Sequence, residues 1–366
     1  MVAAGGPVGI VLVSDRVAHA SFCGRTLVES HVETFRRCGV HATTVVDEEA
    51  RIPRDRPALV VRAERIVDPR IYQAAIAAGR SVVLSDGPQP IGIELHVPGS
   101  VPTAIDIADL DPYSRELRRP LRPYWMRVEA ESDRPRVRRL LIDASAKGHQ
   151  ELTSRVIETP IESAILARIA DTRITPNQLT AICNVIAYAV AALYATGHFL
   201  LGALGAVAVA IADGLDGRQA RIQLRTSTLG RLEHLLDKIY EILWIVALAY
   251  GLSAGFADRR FATGMEIWIA AYLLDTVAYD VFRLRRGMQL DEATPVDAAI
   301  RLVAGRRNIY TYMMLVGALA RHPQAAFWSI VVWSALTAAL HWIRVTVLLR
   351  DVTVLSPPCH PVHRSR

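Results

Sequence analysis

The chain has 366 residues, of which 51% are hydrophobic and 21% charged, with a formal net charge of +6. A mean hydropathy of +0.23 beside that much charge means that apolar and charged residues are segregated along the chain, which excludes one uniformly mixed soluble domain and allows two domains. The four cysteines, Cys23, Cys38, Cys183 and Cys359, have neither paired nor metal-ligand spacing, which argues against a disulfide framework or zinc site and fits isolated thiols in a reducing compartment.

In the first 125 residues, GIVLVSD (9–15) and ALVVRAE (58–64) read as buried strands. TLVESHVETFRRCGV (26–40) reads as an amphipathic helix, and VDPRIYQAAIAAG (67–79) as another before the strand SVVLSDG (81–87). Strands alternating with helices predict a three-layer α/β domain. The N-terminus lacks the charged-then-apolar layout of a signal peptide, so this domain is expected on the cytoplasmic side.

Residues 126–175 read as a linker and a juxtamembrane helix. Val156, Ile157, Ile161, Ala164, Ile165 and Ile169 recur on a helical period, as in an amphipathic helix at a membrane interface, although a packed surface helix would show the same pattern. Lys147 and Arg155 are candidates for an acceptor phosphate or a lipid headgroup; basic residues beside a membrane are also commonplace. Thr175, Pro176 and Asn177 make a helix start with proline just inside it.

Over 176–350, six apolar segments stand near 181–198, 201–215, 234–252, 263–282, 308–320 and 325–348. Some are shorter than the roughly 20 residues of a helical span, so the helices should extend into polar flanks. Arginines crowd the stretches between the second and third and the fourth and fifth segments. By the positive-inside rule those loops and both termini are cytoplasmic. Asp275 and Asp280 are unusual at their depth and could pair with basic loops. The tail over 351–366 is expected to be disordered.

The most informative stretch is DGLDGRQARIQLRTSTLGRLEHLLD (213–237), which sets Asp213, Asp216, Glu233 and Asp237 in apolar surroundings. Ionisable residues at membrane depth are costly and mark functional sites by default. Asp213 and Asp216 are three apart and Glu233 and Asp237 four apart, so each pair shares one face of a helix. Hard carboxylate oxygens without a Cys/His set suit Mg2+ or Mn2+ with substrate phosphates. Gly217 permits close approach of a phosphate or a helix, and Arg221, one turn on, offers a planar fork of donors.

This stretch resembles the signature of the CDP-alcohol phosphotransferases, D-x2-D-G-x2-A-R-x8-G-x3-D-x3-D. Asp213, Asp216, Gly217, Ala220, Arg221 and Gly230 match it. The strict register then lands on His234 and Lys238, while the acids Glu233 and Asp237 sit one residue earlier with their mutual spacing kept; they are read as the third and fourth acids. AKGHQELTSRVIETPIESAILARIADTRITPNQLT (146–180) resembles the family's juxtamembrane helix and TPN-x2-T start, which implies that Asn177 and Thr180 line the nucleotide pocket, although helix capping would explain them as well. AGRRNIYTYMM (304–314) implies that Arg306, Arg307 and Asn308 reach the substrate cavity, where positive-inside flanking charge is the alternative. Gly217, Ala220, Arg221, Thr226 and Gly230 are the further substrate contacts implied.

GRTLVESHVETFRRCGVHATTVV (24–46) resembles the early part of sugar-nucleotide and inositol-phosphate nucleotidyltransferases. The glycine-rich loop is replaced by SDRVAHASF (14–22), and Glu64 stands for a metal-binding aspartate. A degenerate domain with a structural or regulatory role is expected.

The resemblance implies an integral membrane homodimer of six-helix domains. It would use Mg2+ or Mn2+ to pass a phospho-alcohol group from a CDP-alcohol such as CDP-diacylglycerol to a hydroxyl acceptor, with Asp237 as general base. Membrane lipids are expected partners and nucleic acid is not. A catalytically inactive lipid-binding scaffold on the same fold is the alternative. An ion-coupled transporter would need symmetric repeats, and none is seen.

Overall fold

The computed structural model describes residues 6–224 and 230–351, with side chains from Leu235 onward in the second stretch. It divides into two compact units. One runs to Gly148 and adds Ser163–Ile174 and the segment from Arg218; the other holds His149–Glu162, Thr175–Gly217 and the helices beyond residue 230.

The first unit is built on a six-stranded sheet of β1 (Val8–Leu12), β2 (Thr43–Val46), β3 (Ala58–Arg62), β4 (Val82–Asp86), β5 (Gln89–His96) and β6 (Thr103–Asp106), in the order β2-β1-β3-β5-β4-β6. β1 pairs in parallel with β2 and β3, β5 runs antiparallel to β3 and β4, and β6 is parallel to β4. β1, β3 and β4 fall on the predicted strands. β2 and β5 carry weaker patterns: β2 exposes Thr44 and Val45 at the sheet edge, and β5 is interrupted by Pro90 and Gly92.

Helix α1 (Leu27–Arg37) opens with a capping box in which the Thr26 side chain and Glu29 satisfy each other's backbone N–H, and α2 (Pro69–Ala77) opens under Asp68. Phe35 of α1 and Ile71, Tyr72 and Ala75 of α2 are buried in one cluster with Val11, Leu59 and Val61. The Phe35 ring meets Tyr72 edge-on at 5.5 Å, so both helices lie on one face of the sheet. The opposite face buries Ile10, Leu12, Ala58 and Val60 against Val46 and Ile52. The three-layer expectation is not met by α1 and α2, which share a face; on the other, Ile52 from a loop packs against the sheet's own Ile10, Leu12, Val46, Ala58 and Val60. Helix α3 (Arg134–Ser145) joins a third cluster through Val137. Cys23, Cys38 and Cys183 are free thiols.

The second unit is helical. After a π-turn at Ser154–Glu158, α4 (Thr159–Ile169) begins, followed by α5 (Pro176–Ala195), α6 (Phe199–Ile222), α7 (Gly230–Leu252), α8 (Arg259–Arg286), α9 (Pro295–Val303), α10 (Arg307–Leu319) and α11 (Pro323–Arg350). Each apolar segment lies largely within one of α5, α6, α7, α8, α10 and α11. Among the described residues four of them, α5, α6, α8 and α11, are long and apolar enough to cross a membrane. The 13 residues of α10 reach only about 20 Å at 1.5 Å per residue, short of a hydrocarbon core of about 30 Å. As expected, Thr175 caps α5 with Gln178 completing a capping box, and Pro176 is its first residue.

Small residues let these helices approach closely: Ala187, Val190, Ala203, Ala206 and Ala249 are buried among Tyr194, Tyr240 and Trp244. A Cβ on Gly251 would stand 2.0 Å from the Tyr194 carbonyl oxygen, so α7 meets α5 backbone to backbone. In the juxtamembrane stretch Val156, Ile157 and Ile161 are exposed while Glu158 and Glu162 are buried. Farther along the same stripe Ile165 and Ile169 are half-buried, so only its first part is fully exposed.

Candidate active site

The signature does bridge the end of one helix and the start of the next. Asp213 and Asp216 are helical residues of α6, and Asp237 lies on α7. Asp216 is 3% exposed, and its Oδ2 accepts a hydrogen bond of 2.6 Å from Thr180 Oγ1 on α5. Thr180, expected to line a nucleotide pocket, thus orients a carboxylate of the signature. A Cβ on Gly214 would lie 1.9 Å from Glu162 Oε1. Glycine between the two aspartates is what allows that buried carboxylate to rest on their turn.

Arg307, 94 residues from Asp213, reaches the same place. Its Nη2 donates to Asp213 Oδ2 at 2.5 Å, its Nη1 donates to the Tyr240 hydroxyl, and Glu241 Oε1 is 3.7 Å away. The guanidinium stands over the Tyr240 ring at 5.5 Å. Tyr240 also hydrogen-bonds Asp237, which interacts electrostatically with Asp213, Arg307 and Glu241. Asp237 is half-buried, whereas Lys238 is exposed. Glu241 is absent from the residues expected from sequence, although it continues the four-residue spacing of Glu233 and Asp237 on α7.

Beside this cluster lies a second acidic group. Glu151 pairs with Arg301 at 3.0 Å, and Asn308 Nδ2 donates to Ser154 Oγ at 2.7 Å and to Glu158 Oε2 at 3.0 Å. Burial, aided by the charges of Glu151 and Glu162, pushes the Glu158 carboxyl up to about 7. Arg306 stacks over Tyr279 at 4.5 Å. Of the two unassigned aspartates, Asp280 pairs with Arg283 on its own helix at 2.8 Å and Asp275 with His341 on α11.

The remaining expected residues are dispersed. Arg221 donates Nε to the Ser145 carbonyl at 2.8 Å, and Arg218, buried and not foreseen, donates Nε to Ser145 Oγ at 3.1 Å and Nη2 to the Ile142 carbonyl at 3.0 Å. The phosphate-binding fork expected of Arg221 is thus partly engaged with backbone. Lys147 and Arg155 are exposed; Asn177 sits half-buried in the first turn of α5, and Gly217 and Ala220 are half-buried in α6. Gly230 opens α7. Thr226 and the side chains of Glu233 and His234 lie outside the described residues.

Among the described residues, no three His, Cys, Asp or Glu side chains stand together as a ready-made metal cage. The chemistry of the donor set nevertheless fits a hard divalent cation. Asp213, Asp237 and Glu241 interact with one another around the guanidinium of Arg307, with Arg306 acting on Glu241 as well, and three carboxylates against two cations is an excess that Mg2+ or Mn2+ neutralises.

Residues 173–348 match the family model for CDP-alcohol phosphatidyltransferase. The chain carries a CDP-alcohol phosphatidyltransferase domain. Curated relatives include the bifunctional IPC transferase and DIPP synthase of Aquifex aeolicus, 27% identical over 53% of this chain and 44% of that protein. The protein of the same name from Thermococcus kodakarensis is 27% identical over 59% of this chain and 49% of its own length. The chain thus spans about half the length of the curated relatives it matches. Among solved structures, the phosphatidylinositol phosphate synthase of Mycobacterium tuberculosis with CDP-DAG bound is similar over 52% of this chain and 93% of that one, at 20% identity and a TM-score of 0.39.

Outside the transferase domain, the sheet unit shows what its altered first loop does. Glu64 Oε1 accepts the backbone N–H groups of Ser14 at 2.7 Å and Asp15 at 2.8 Å, directly after β1. A carboxylate of the chain occupies the amides that a glycine-rich loop would turn toward a phosphate.

Proposed function

We propose that this protein transfers a phospho-alcohol group from a CDP-alcohol, CDP-diacylglycerol for choice, to a hydroxyl acceptor and releases CMP. The observation that carries this reading is the meeting of α6 and α7 carboxylates, Asp213 and Asp237, around Arg307. Asp213, Asp216, Glu233 and Asp237 would hold Mg2+ or Mn2+. When bound, the metal supplies charge neutralisation of the diphosphate and of departing CMP. Thr180 fixes the Asp216 carboxylate, as hydrogen-bonded supports of metal ligands commonly do. Asp237 takes the proton of the acceptor hydroxyl as its oxygen forms the new bond to the distal phosphorus of the donor. The bridging P–O bond breaks, and its electrons leave with CMP. Arg307 offers donors to phosphate oxygens at the same place.

In this reading the six apolar helices form the membrane domain, with the 13-residue α10 reaching only part of the way across, the acids open to the cytoplasmic side, and residues 1–125, 126–175, 176–350 and 351–366 are nucleotidyltransferase-like domain, linker, transferase domain and tail. Two chains form a homodimer. The sheet unit is structural or regulatory, a role supported by the closure of its first loop by Glu64. One observation favours an inactive lipid-binding scaffold instead: Arg307 already occupies Asp213.

Release of CMP from CDP-diacylglycerol by purified protein, with Mg2+ or Mn2+ and a panel of polyol phosphates and free alcohols, tests the proposal. Metal-dependent release stimulated by one acceptor supports it and names the substrate. No release with any acceptor or CDP-alcohol donor favours the scaffold.

A further inference from the structure

Arg307 stands between two carboxylates at unequal distances. Asp213 Oδ2 is 2.5 Å from Nη2 and Glu241 Oε1 is 3.7 Å from Nη1. The arginine side chain is 13% exposed, so it cannot simply turn its charge to water. A divalent cation on Asp213 would set two cations on one carboxylate, and a buried charge stripped of its partner is strongly unfavourable. Glu241 offers an escape, because closing 3.7 Å to hydrogen-bond length takes only about 1 Å of movement. The surroundings are built for that exchange. The guanidinium rests over the Tyr240 ring and donates to its hydroxyl, a pivot that need not break. Glu241 is itself held by the Tyr272 hydroxyl, and its place four residues after Asp237 puts it on the same face of α7, one turn along.

We propose that Glu241 is a positioning residue that takes over the Arg307 guanidinium when Asp213 engages a divalent cation. The inference rests on the metal-site reading above. It gives Arg307 two stations: on Asp213 it is the resident counter-charge of the site, and on Glu241 it leaves the ligand free while remaining beside the diphosphate. Removal of Glu241 leaves Arg307 beside no carboxylate of the cluster other than the metal ligands Asp213 and Asp237, and makes it compete with the metal.

The test is Mn2+ affinity of the purified full-length protein, read without substrate by the electron paramagnetic resonance signal of free Mn2+. Glu241→Gln should bind Mn2+ about tenfold more weakly than the unmodified protein, and the double variant Glu241→Gln/Arg307→Met should regain the original affinity within about twofold. A merely structural role for Glu241 would not be rescued by removing a second buried partner. Glu241→Gln binding at the original affinity, or a double variant as weak as the single one, overturns the inference. Asp213→Asn serves as the separate control. Loss of Mn2+ binding in Asp213→Asn with none in Glu241→Gln sinks the inference alone, whereas Asp213→Asn binding as well as the original protein sinks the metal-site reading and the inference together.

Discussion

Each unit of the protein buries carboxylates, and their surroundings differ in kind. In the sheet unit Glu64 is satisfied by two backbone N–H groups, at 2.7 and 2.8 Å, that belong to the loop after β1. In the helical unit Asp213, Asp237 and Glu241 gather around the Arg307 guanidinium, with Arg306 acting on Glu241 as the second cation, and Asp216 is steadied by a threonine hydroxyl. A carboxylate that closes its own hydrogen bonds stabilises a loop; carboxylates that outnumber their counter-charge are a standing invitation to a cation. The same residue type is architecture in one place and a candidate site in the other.

The largest effect should come from the helical unit. Asp213→Asn or Asp216→Asn is expected to lower metal-dependent CMP release by about a thousandfold, the scale of losing a main electrostatic contributor to a transfer reaction. Glu233→Gln and Asp237→Asn should be as severe while His234→Ala keeps much of the activity; equal tolerance at all three would break the shifted register.

The sheet unit should answer to pH instead. His31 is buried, with Nε2 3.2 Å from the Ala63 carbonyl and Nδ1 2.6 Å from the Tyr72 hydroxyl. The carbonyl can only accept, so Nε2 carries the proton and Nδ1 accepts from tyrosine. Burial holds the imidazole down at about 4, below its usual 6.5. The folded pKa lies below the unfolded one, so the neutral ring's contribution is present above pH 6.5 and is lost as pH falls through 4, about 3 kcal/mol in all. Melting curves between pH 7 and 4 should show a slope that His31→Leu removes.

A smaller effect is expected from Glu64→Ala, which strands the Ser14 and Asp15 amides and should cost about 2 kcal/mol in melting of the sheet unit. CMP release per folded molecule should stay unchanged, and a parallel loss of release would erase the contrast between the units. Smallest is Thr180→Val, which keeps shape and removes the donor to Asp216. About tenfold lower CMP release, with a weaker metal requirement profile, is expected, and wild-type behaviour would reduce Thr180 to a packing residue.

Much of the helical unit was legible because its signals are local. The Thr175–Gln178 capping box, the apolar segments and the three-residue step from Asp213 to Asp216 all act within one or two turns. The front unit was harder. β2, β5 and β6 escape the sequence reading; edge exposure dilutes alternation in β2 and a Pro/Gly interruption does so in β5, and a pattern of strands and helices does not say which face each crossover takes.

The sequence by itself determined which segments are apolar, and hence where α5 to α8, α10 and α11 stand, and that acids cluster where α6 ends and α7 begins. Only the tertiary structure decided which partners they meet: Arg307 across 94 positions from Asp213, Thr180 across 36 from Asp216, Glu64 across 50 from Ser14. The physical reason is range. Capping and amphipathic periodicity are set by neighbours three or four residues away, whereas a buried charge finds its partner through the packing of whole elements, which leaves no periodic trace along the chain.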